Sequence, residues 1–484
     1  MEENLKQKTI NGMLWQFLQK VSGQLVSFVI SVILARLLTP SDYGLVGLAG
    51  MFLYLMSVFS NGGLGQALIQ KKNADTEDYN TMFVTQLTFA SMLYVIIYFL
   101  APFFASFFKS VDTEQLVQIL RVMALTMPLG ALAGVQNSVV TRRLMFKWYF
   151  YTNFVSLIVS ASIGIYMAYH GFGAWALVAQ SMSATITSTI VIFCLLDWHP
   201  KFRFSYNRFK PLFQQGLKYM GTSFISRITD QVKGYSLGIK YSAADLAYYY
   251  RGEGMPNLLC NNIDETIQSV LFPSLAKIQD DKNAVRNALS RAIRISTFVL
   301  MPMLFGLAAI SDKLVVLVYT EKWIPCIPFM QVLCFCLAVG IMCNVNLQAL
   351  KAIGKIGLIL KLEFVKKPVM LLVILGTMMI SPIAIAWGML FFNIFVYFVN
   401  SYPNKKSIGY SYRQQLVDVG PNFLMALFMA FVVYLVGKWD INIYVLLVVQ
   451  ILLGIILYGT MAILTKNESL TYVVSYLKKR FIKR

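Results

Sequence analysis

The chain has 484 residues, 57% of them hydrophobic and only 13% charged, with a net charge of +20 and a mean hydropathy of +0.63. Soluble domains carry about 25% charged residues, so this composition excludes a water-soluble enzyme and demands a surface that faces lipid. The basic excess does not point to nucleic acid, because no zinc spacing, glycine-rich phosphate loop or recognition motif accompanies it.

The apolar runs are long and lack period-two alternation, so they read as membrane-crossing helices of about 20 residues each rather than barrel strands. In chain order they fall at 12–35, 43–61, 82–108, 116–138, 148–169 and 172–195, then 213–236, 246–271, 293–310, 326–350, 358–380 and 384–400, and finally 417–437 and 441–464. The expected architecture is an all-α polytopic membrane protein of about 14 transmembrane helices. A first six-helix lobe covers 1–200 and a basic, aromatic cytoplasmic linker covers 201–211. A second six-helix lobe covers 212–400, a C-terminal helix pair 417–464, and a basic cytoplasmic tail 465–484. Glu2 and Glu3, ahead of a long apolar stretch, argue against a cleavable signal peptide.

Charge placement follows the same count. With the N-terminus inside, the inside segments collect 28 Lys and Arg residues and the outside loops only 6. This is the bias expected of cytoplasmic loops, and it places both termini in the cytoplasm. Eight basic residues are left within the spans: Lys20, Arg121, Lys218, Arg227, Lys233, Arg251, Lys366 and Lys367. Lys218, Lys366 and Lys367 lie near inner ends and Arg121 near an outer end, where a long side chain can snorkel to the interface. A cation at mid-membrane costs about 3 kcal/mol unless it faces protein or water, so Lys20, Arg227, Lys233 and Arg251 need another explanation.

Those four sit on polar stripes. Gln16, Lys20, Gln24 and Ser27 recur at steps of three and four on span one, which puts them on one helical face. Span seven carries Arg227, Asp230 and Lys233; span eight carries Arg251, Asn261, Asn262 and Glu265. Such stripes can simply pack helix on helix, with Asp230 neutralising Arg227 or Lys233. Three cation-bearing stripes are better explained by a wet, basic cavity for an anionic substrate, with Asp230 and Glu265 as candidates for ion coupling. The six cysteines, mostly within spans, read as ordinary buried thiols, and His170 and His199 as surface residues near span ends. No catalytic residue, metal site or cofactor is expected. The chain also repeats weakly: "ARLLTPSDYG" closing span one and "LGIKYSAADLAYY" closing span seven align Asp42 with Asp245 at an offset of 203. Two related lobes about a mid-membrane site are a transporter design.

The stretch "ILARLLTPSDYGLVGLAGMF" (33–52) resembles the polysaccharide transporter family, the Wzx-like flippases of the multidrug/oligosaccharidyl-lipid/polysaccharide exporter superfamily. "YYYRGEGMPNLLCNNIDETIQSVLFPSLAKIQDD" (248–281) is similar to that family's second-lobe entry helix and the loop after it. The resemblance implies alternating access in the bacterial inner membrane. It implies as substrate an undecaprenyl-pyrophosphate-linked oligosaccharide, a repeat unit of O-antigen, capsule or exopolysaccharide. Lys20, Arg227, Lys233 and Arg251 would then meet the pyrophosphate. Membrane lipids, a polysaccharide polymerase and a chain-length regulator are the further partners implied, for a chain acting as a monomer. Span two has no basic residue, so a fully arginine-lined cavity of the lipid II flippase kind is not expected. The rival classes are a drug or cation exporter of the same superfamily, a membrane-embedded polymerase or ligase, and a non-transporting assembly scaffold. The polymerase would need a sizeable catalytic outer loop, and the longest outer connection expected is 311–325.

Overall fold

The computed structural model describes residues 20, 22–61, 63–71, 73–143 and 145–471, without the side chains at 61, 222, 225, 266, 269 and 270. Among the described residues every element is helical. They are α1 (Ser22–Leu37), α2 (Pro40–Asn61), α3 (Leu64–Gln70), α4 (Thr76–Ala105), α5 (Thr113–Ala124), α6 (Thr126–Arg142), α7 (Phe146–Tyr169) and α8 (Ala174–Leu195). There follow α9 (Tyr206–Lys240), α10 (Ala243–Ala276), α11 (Lys282–Tyr319), a 3-10 turn (Glu321–Cys326), α12 (Ile327–Ala352), α13 (Ile356–Thr377), α14 (Pro382–Ile408), α15 (Tyr412–Val436) and α16 (Ile443–Leu464).

A helix lies over the described part of each segment expected from the sequence; residues 12–19 and 21 of the first segment lie outside the described residues. Ten stretches are long and apolar enough to cross a membrane. Outside those ten are α1, α9 and α10, the three polar segments, and α13, whose Lys361, Glu363, Lys366 and Lys367 dilute its apolar surface. Segment 116–138 is broken in two. Pro128 has no N–H to give the carbonyl of Ala124, and the chain turns at Leu125 between α5 and α6. The connection expected at 311–325 is no open loop: α11 runs on to Tyr319 and the 3-10 turn follows after one residue.

The chain forms two compact units, Met1–Ala247 and Tyr248–Arg484. In the first, α7 packs on α8, α4 on α5 and α6, and α9 on α2 and α3. Glycine allows the contact of α9 with α3, since a Cβ on Gly63 would lie 2.1 Å from Gly216 O; on α2, a Cβ on Gly44 would lie 2.0 Å from the carbonyl oxygen of Ala243, the first residue of α10. In the second unit α11 packs on α12, α15 and α16, and α14 packs on α12 and α13.

The repeat has a structural cause. Thr39 Oγ1 and Thr39 N donate to Asp42 Oδ2 at 2.6 and 2.9 Å, and Asp42 N returns a bond to Thr39 Oγ1 at 3.2 Å. Ser242 and Asp245 reproduce all three bonds at 2.6, 3.1 and 3.1 Å. Both pairs are capping boxes in which the acid at the third position reaches back to the cap. They start α2 and α10 at equivalent places.

The segment expected as a linker is docked in the first unit. Lys201 N donates to Asn80 Oδ1 at 2.8 Å, Ser205 N to Thr81 Oγ1 at 3.2 Å, and Trp198 and Phe202 pack edge-on against Tyr79 and Phe83. Arg208 pairs with Asp75 at 3.0 Å and Glu77 at 3.4 Å. The amide of Asp78, followed by Arg208 and Lys71, holds the Asp75 carboxyl below its ordinary range against partial burial. Phe202, Phe204 and Tyr206 stay exposed, as an interfacial segment requires.

Candidate functional site

The cations of the first unit lie on α9 and just ahead of α1. Arg227 is the best defined. Its Nη1 donates to Tyr54 O at 2.8 Å and to Ser57 Oγ, and its guanidinium carbon lies 4.4 Å from the Tyr54 ring centroid. α2 therefore holds Arg227, not Asp230, which is exposed one turn away. Among the described residues Arg227 has no carboxylate partner, so its charge is oriented but not neutralised. Lys20 and Lys233 are half-buried and both are engaged by neighbouring groups. Gln24 is half-buried, Ser27 is exposed, and Gln16 lies outside the described residues.

In the second unit Arg251 is stacked between two rings, 4.8 Å from the centroid of Tyr319 and 4.7 Å from that of Trp323. Both rings are buried, so the end of α11 and the 3-10 turn form an aromatic box around this cation. Asn261 is exposed, Asn262 donates to Leu258 O one turn back at 2.9 Å, and Glu265 is exposed.

Two readings from the sequence are corrected. Lys366 does not snorkel: it is 5% exposed, 2.5 Å from Glu363 and 3.3 Å from Asn400 Oδ1. An acid one turn away makes burial cheaper than a climb to the interface. Arg121, weighed as a snorkelling residue, is tied to α4, where its Nε donates to Tyr98 O at 3.1 Å and its guanidinium lies 4.2 Å from the Tyr98 ring centroid. Five of the six cysteines are buried and Cys194 is exposed. His170 and His199 are exposed.

Asp264 is the residue that sequence reasoning passed over in favour of its neighbour Glu265. Its Oδ2 accepts from Gln268 Nε2 at 2.7 Å and Asn344 Nδ2 at 2.8 Å, and Gln348 Nε2 donates to Gln268 Oε1 at 2.6 Å. Its Oδ1 is buried without a hydrogen-bond partner. The signal was present: Asp264 and Gln268 stand one turn apart on α10, as do Asn344 and Gln348 on the largely apolar α12. Two such pairs form a ladder when the helices pack. A buried carboxylate oxygen with no donor is costly, and a proton or a small cation would relieve it.

Residues 33–328, well over half of the chain, match the family described as "Polysaccharide biosynthesis protein". The succinoglycan biosynthesis transport protein ExoT of Rhizobium meliloti is 24% identical over 341 residues, covering 70% of this chain and 68% of its own. The lipopolysaccharide biosynthesis protein WzxC of Escherichia coli is 23% identical over 458 residues, covering 90% and 88%. Among solved structures, the lipid II flippase MurJ in an inward closed conformation superposes with a TM-score of 0.74 at 17% identity, over 94% of this chain and 99% of that one. That likeness concerns the fold, and it places the chain on the architecture its sequence resembled.

Proposed function

Since the chain belongs to the polysaccharide biosynthesis protein family, we propose that it is a flippase that moves an undecaprenyl-pyrophosphate-linked oligosaccharide across the bacterial inner membrane by alternating access. The similarity to ExoT and WzxC, named as a transport protein and a biosynthesis protein of two bacterial polysaccharides, supports the reading. In this proposal α1, α9, α10 and α13 cross the membrane with the ten apolar stretches, giving fourteen crossings, and both termini are cytoplasmic. Polysaccharide polymerase and chain-length regulator are its neighbours in assembly.

The observation that carries the substrate class is Arg227, a half-buried guanidinium positioned by α2 and, among the described residues, without a carboxylate partner. A drug exporter for cations would need the opposite charge there. In the proposal Arg227, Lys20 and Lys233 meet the pyrophosphate. Arg251 completes the set only by facing a phosphate from within its aromatic box. Each charge-assisted contact is worth roughly 1.5–3 kcal/mol, so Arg227→Ala should cut polymer export about ten- to a hundredfold at 1.4 kcal/mol per tenfold. Arg227→Lys should lose less, because charge survives without the planar fork. The measurement is export in cells lacking the native gene, at matched expression; full export by Arg227→Ala and Lys20→Ala would sink the proposal. For ion coupling, Asp264 joins Asp230 and Glu265, because its Oδ1 is buried and unpaired. Asp264→Asn should flatten the pH dependence of the same export; an unchanged profile would return the role to the other two.

A further inference from the structure

The turn that follows α16 contains a residue at odds with its backbone. Lys466 N donates to Ile463 O at 3.0 Å and Asn467 N to Ala462 O at 2.9 Å. This pair of bonds is the Schellman motif, whose residue after the cap takes a left-handed conformation and is ordinarily glycine. Here it is Lys466, with φ of +50°. A lysine in a glycine position keeps a side chain that the turn itself does not use.

The turn is fastened to the helices beside it. Asn467 Nδ2 donates to Asn422 Oδ1 at 2.9 Å, and Asn422 Nδ2 donates to Arg294 O and Thr297 Oγ1, both at 3.0 Å. Ser469 N closes the chain of bonds on Asn467 Oδ1 at 2.9 Å. α11 and α15 thus set the position of the residues after the helix.

A cavity of about 530 Å³ lies between this turn and α11, with Arg291, Arg294, Lys466, Glu468 and Ser469 in its wall. Arg294 touches two carboxylates, and they are unequal. Asp418, 9% exposed and 2.6 Å from Arg294 Nη2, also accepts from Ser290 and Tyr410 at 2.5 Å each. It is a buried, saturated counter-ion. Glu468, 80% exposed, meets Nη1 from the solvent side, and an exposed contact of that kind contributes little. It occupies the place an external anion would take. The cavity wall carries Arg291, Arg294 and Lys466 beside this one replaceable acid. The level of the cavity is marked by its neighbours: Ile463 and Leu464 are exposed just before Lys466, and Ile455 and Ile456 two turns earlier on α16 are exposed as well. The cavity opens where a lipid-facing apolar surface ends, which is the depth of the headgroup phosphates.

We propose that this cavity binds the phosphate of an anionic membrane phospholipid, with Arg291, Arg294 and Lys466 around its oxygens and Glu468 displaced. The inference is independent of the transported substrate. It is tested on the full-length protein in detergent, by native mass spectrometry with phosphatidylglycerol, phosphatidylcholine or inorganic phosphate as the added ligand. Wild type should retain phosphatidylglycerol in preference to phosphatidylcholine. Lys466→Gly is a clean variant, because glycine suits the left-handed turn and folding is not put at risk. It and Arg291→Gln should each weaken phosphatidylglycerol binding roughly fivefold, while Glu468→Gln should strengthen it. Equal retention of the two lipids, or unchanged retention by a variant combining Lys466→Gly with Arg291→Gln, would overturn the proposal. Inorganic phosphate binding as tightly as the lipid, with the same losses in the variants, would overturn the lipid assignment in favour of a soluble phosphate.

Discussion

Asp78 shows what a single charge does in this protein. Its side chain is fully buried, caps α4 together with Asp75, and lies 2.6 Å from Lys71 Nζ. From the sequence it is one acid in a polar loop. Removing one partner of a buried ion pair costs about 3–5 kcal/mol, mostly because the other charge is left unpaired. Lys71 is 26% exposed, so it can rehydrate when Asp78 is lost, whereas buried Asp78 keeps only the more distant Arg208, at 3.9 Å, when Lys71 is lost. Lys71→Ala should therefore destabilise the purified protein more than Asp78→Asn, which keeps the cap and removes the charge. Thermal unfolding in detergent reads the order directly; equal effects would sink this account. The same asymmetry explains why charges within the helices were legible as positions but not as partners. Lys366 could climb to the interface or turn to Glu363, and only the packing of α13 on α14 selects the second. Arg227 has Asp230 one turn away, yet Tyr54 and Ser57, some 170 residues earlier, hold it.

At the scale of elements, the glycines of the first unit do what no hydropathy pattern discloses. Gly63 N-caps α3, and its missing side chain lets Gly216 O of α9 come within 2.1 Å of where a Cβ would stand, with Met220 Cγ at 2.6 Å. The carbonyl belongs to backbone and cannot swing aside, so Gly63→Ala forces α9 away. Overpacking of this kind costs about 1–3 kcal/mol; a lowered unfolding temperature for Gly63→Ala, against little change for Gly50→Ala in open space, is the expected result. Unaltered stability in Gly63→Ala would show that α9 does not approach α3 this closely. The helices themselves were largely legible, because lipid imposes long apolar runs. The break at Leu125 was not, since Pro128 sits in an otherwise continuous run, and α3 was too short to register. The buried amides of the second unit were also hidden. Asn346 bonds both Asn404 and Gln415 at 2.7–3.0 Å, but the three stand on three different helices, Asn346 58 residues before Asn404, and form a cluster only after packing. Asn422 and Gln450, polar residues of the last helix pair, are turned inward to α11 and to Val433 O. The outward surface of that pair is left to Leu424, Phe428, Phe431, Leu452 and Ile455.

At the scale of the whole molecule the claim most exposed to test is orientation. It rests on charge: 28 basic residues against 6, segregated by alternate loops. Each cytoplasmic cation opposes translocation of its loop, so an inverted insertion would have to carry the far larger set across. The structure says which positions can report. Cys194 is the exposed native cysteine and the other five are buried, so Cys194→Ser gives a quiet background. Asp42 is a poor probe because its carboxylate is spent on the capping box, and Leu314 is only half-exposed. Lys109, in the turn after α4, and Asp440, between α15 and α16, are exposed and belong to connections expected outside. Asn207, at the start of α9, is exposed and belongs to the docked linker expected inside. Lys109→Cys and Asp440→Cys should react with a membrane-impermeant maleimide added to intact spheroplasts, and Asn207→Cys only after lysis. Labelling of Asn207→Cys in intact spheroplasts, with Asp440→Cys silent, would invert the molecule. Labelling at both Asn207 and Asp440 would mean an even number of crossings between them. The seven crossings expected in that interval would then fail, and one of α9, α10 and α13, the polar helices there, would be the first suspected of not crossing.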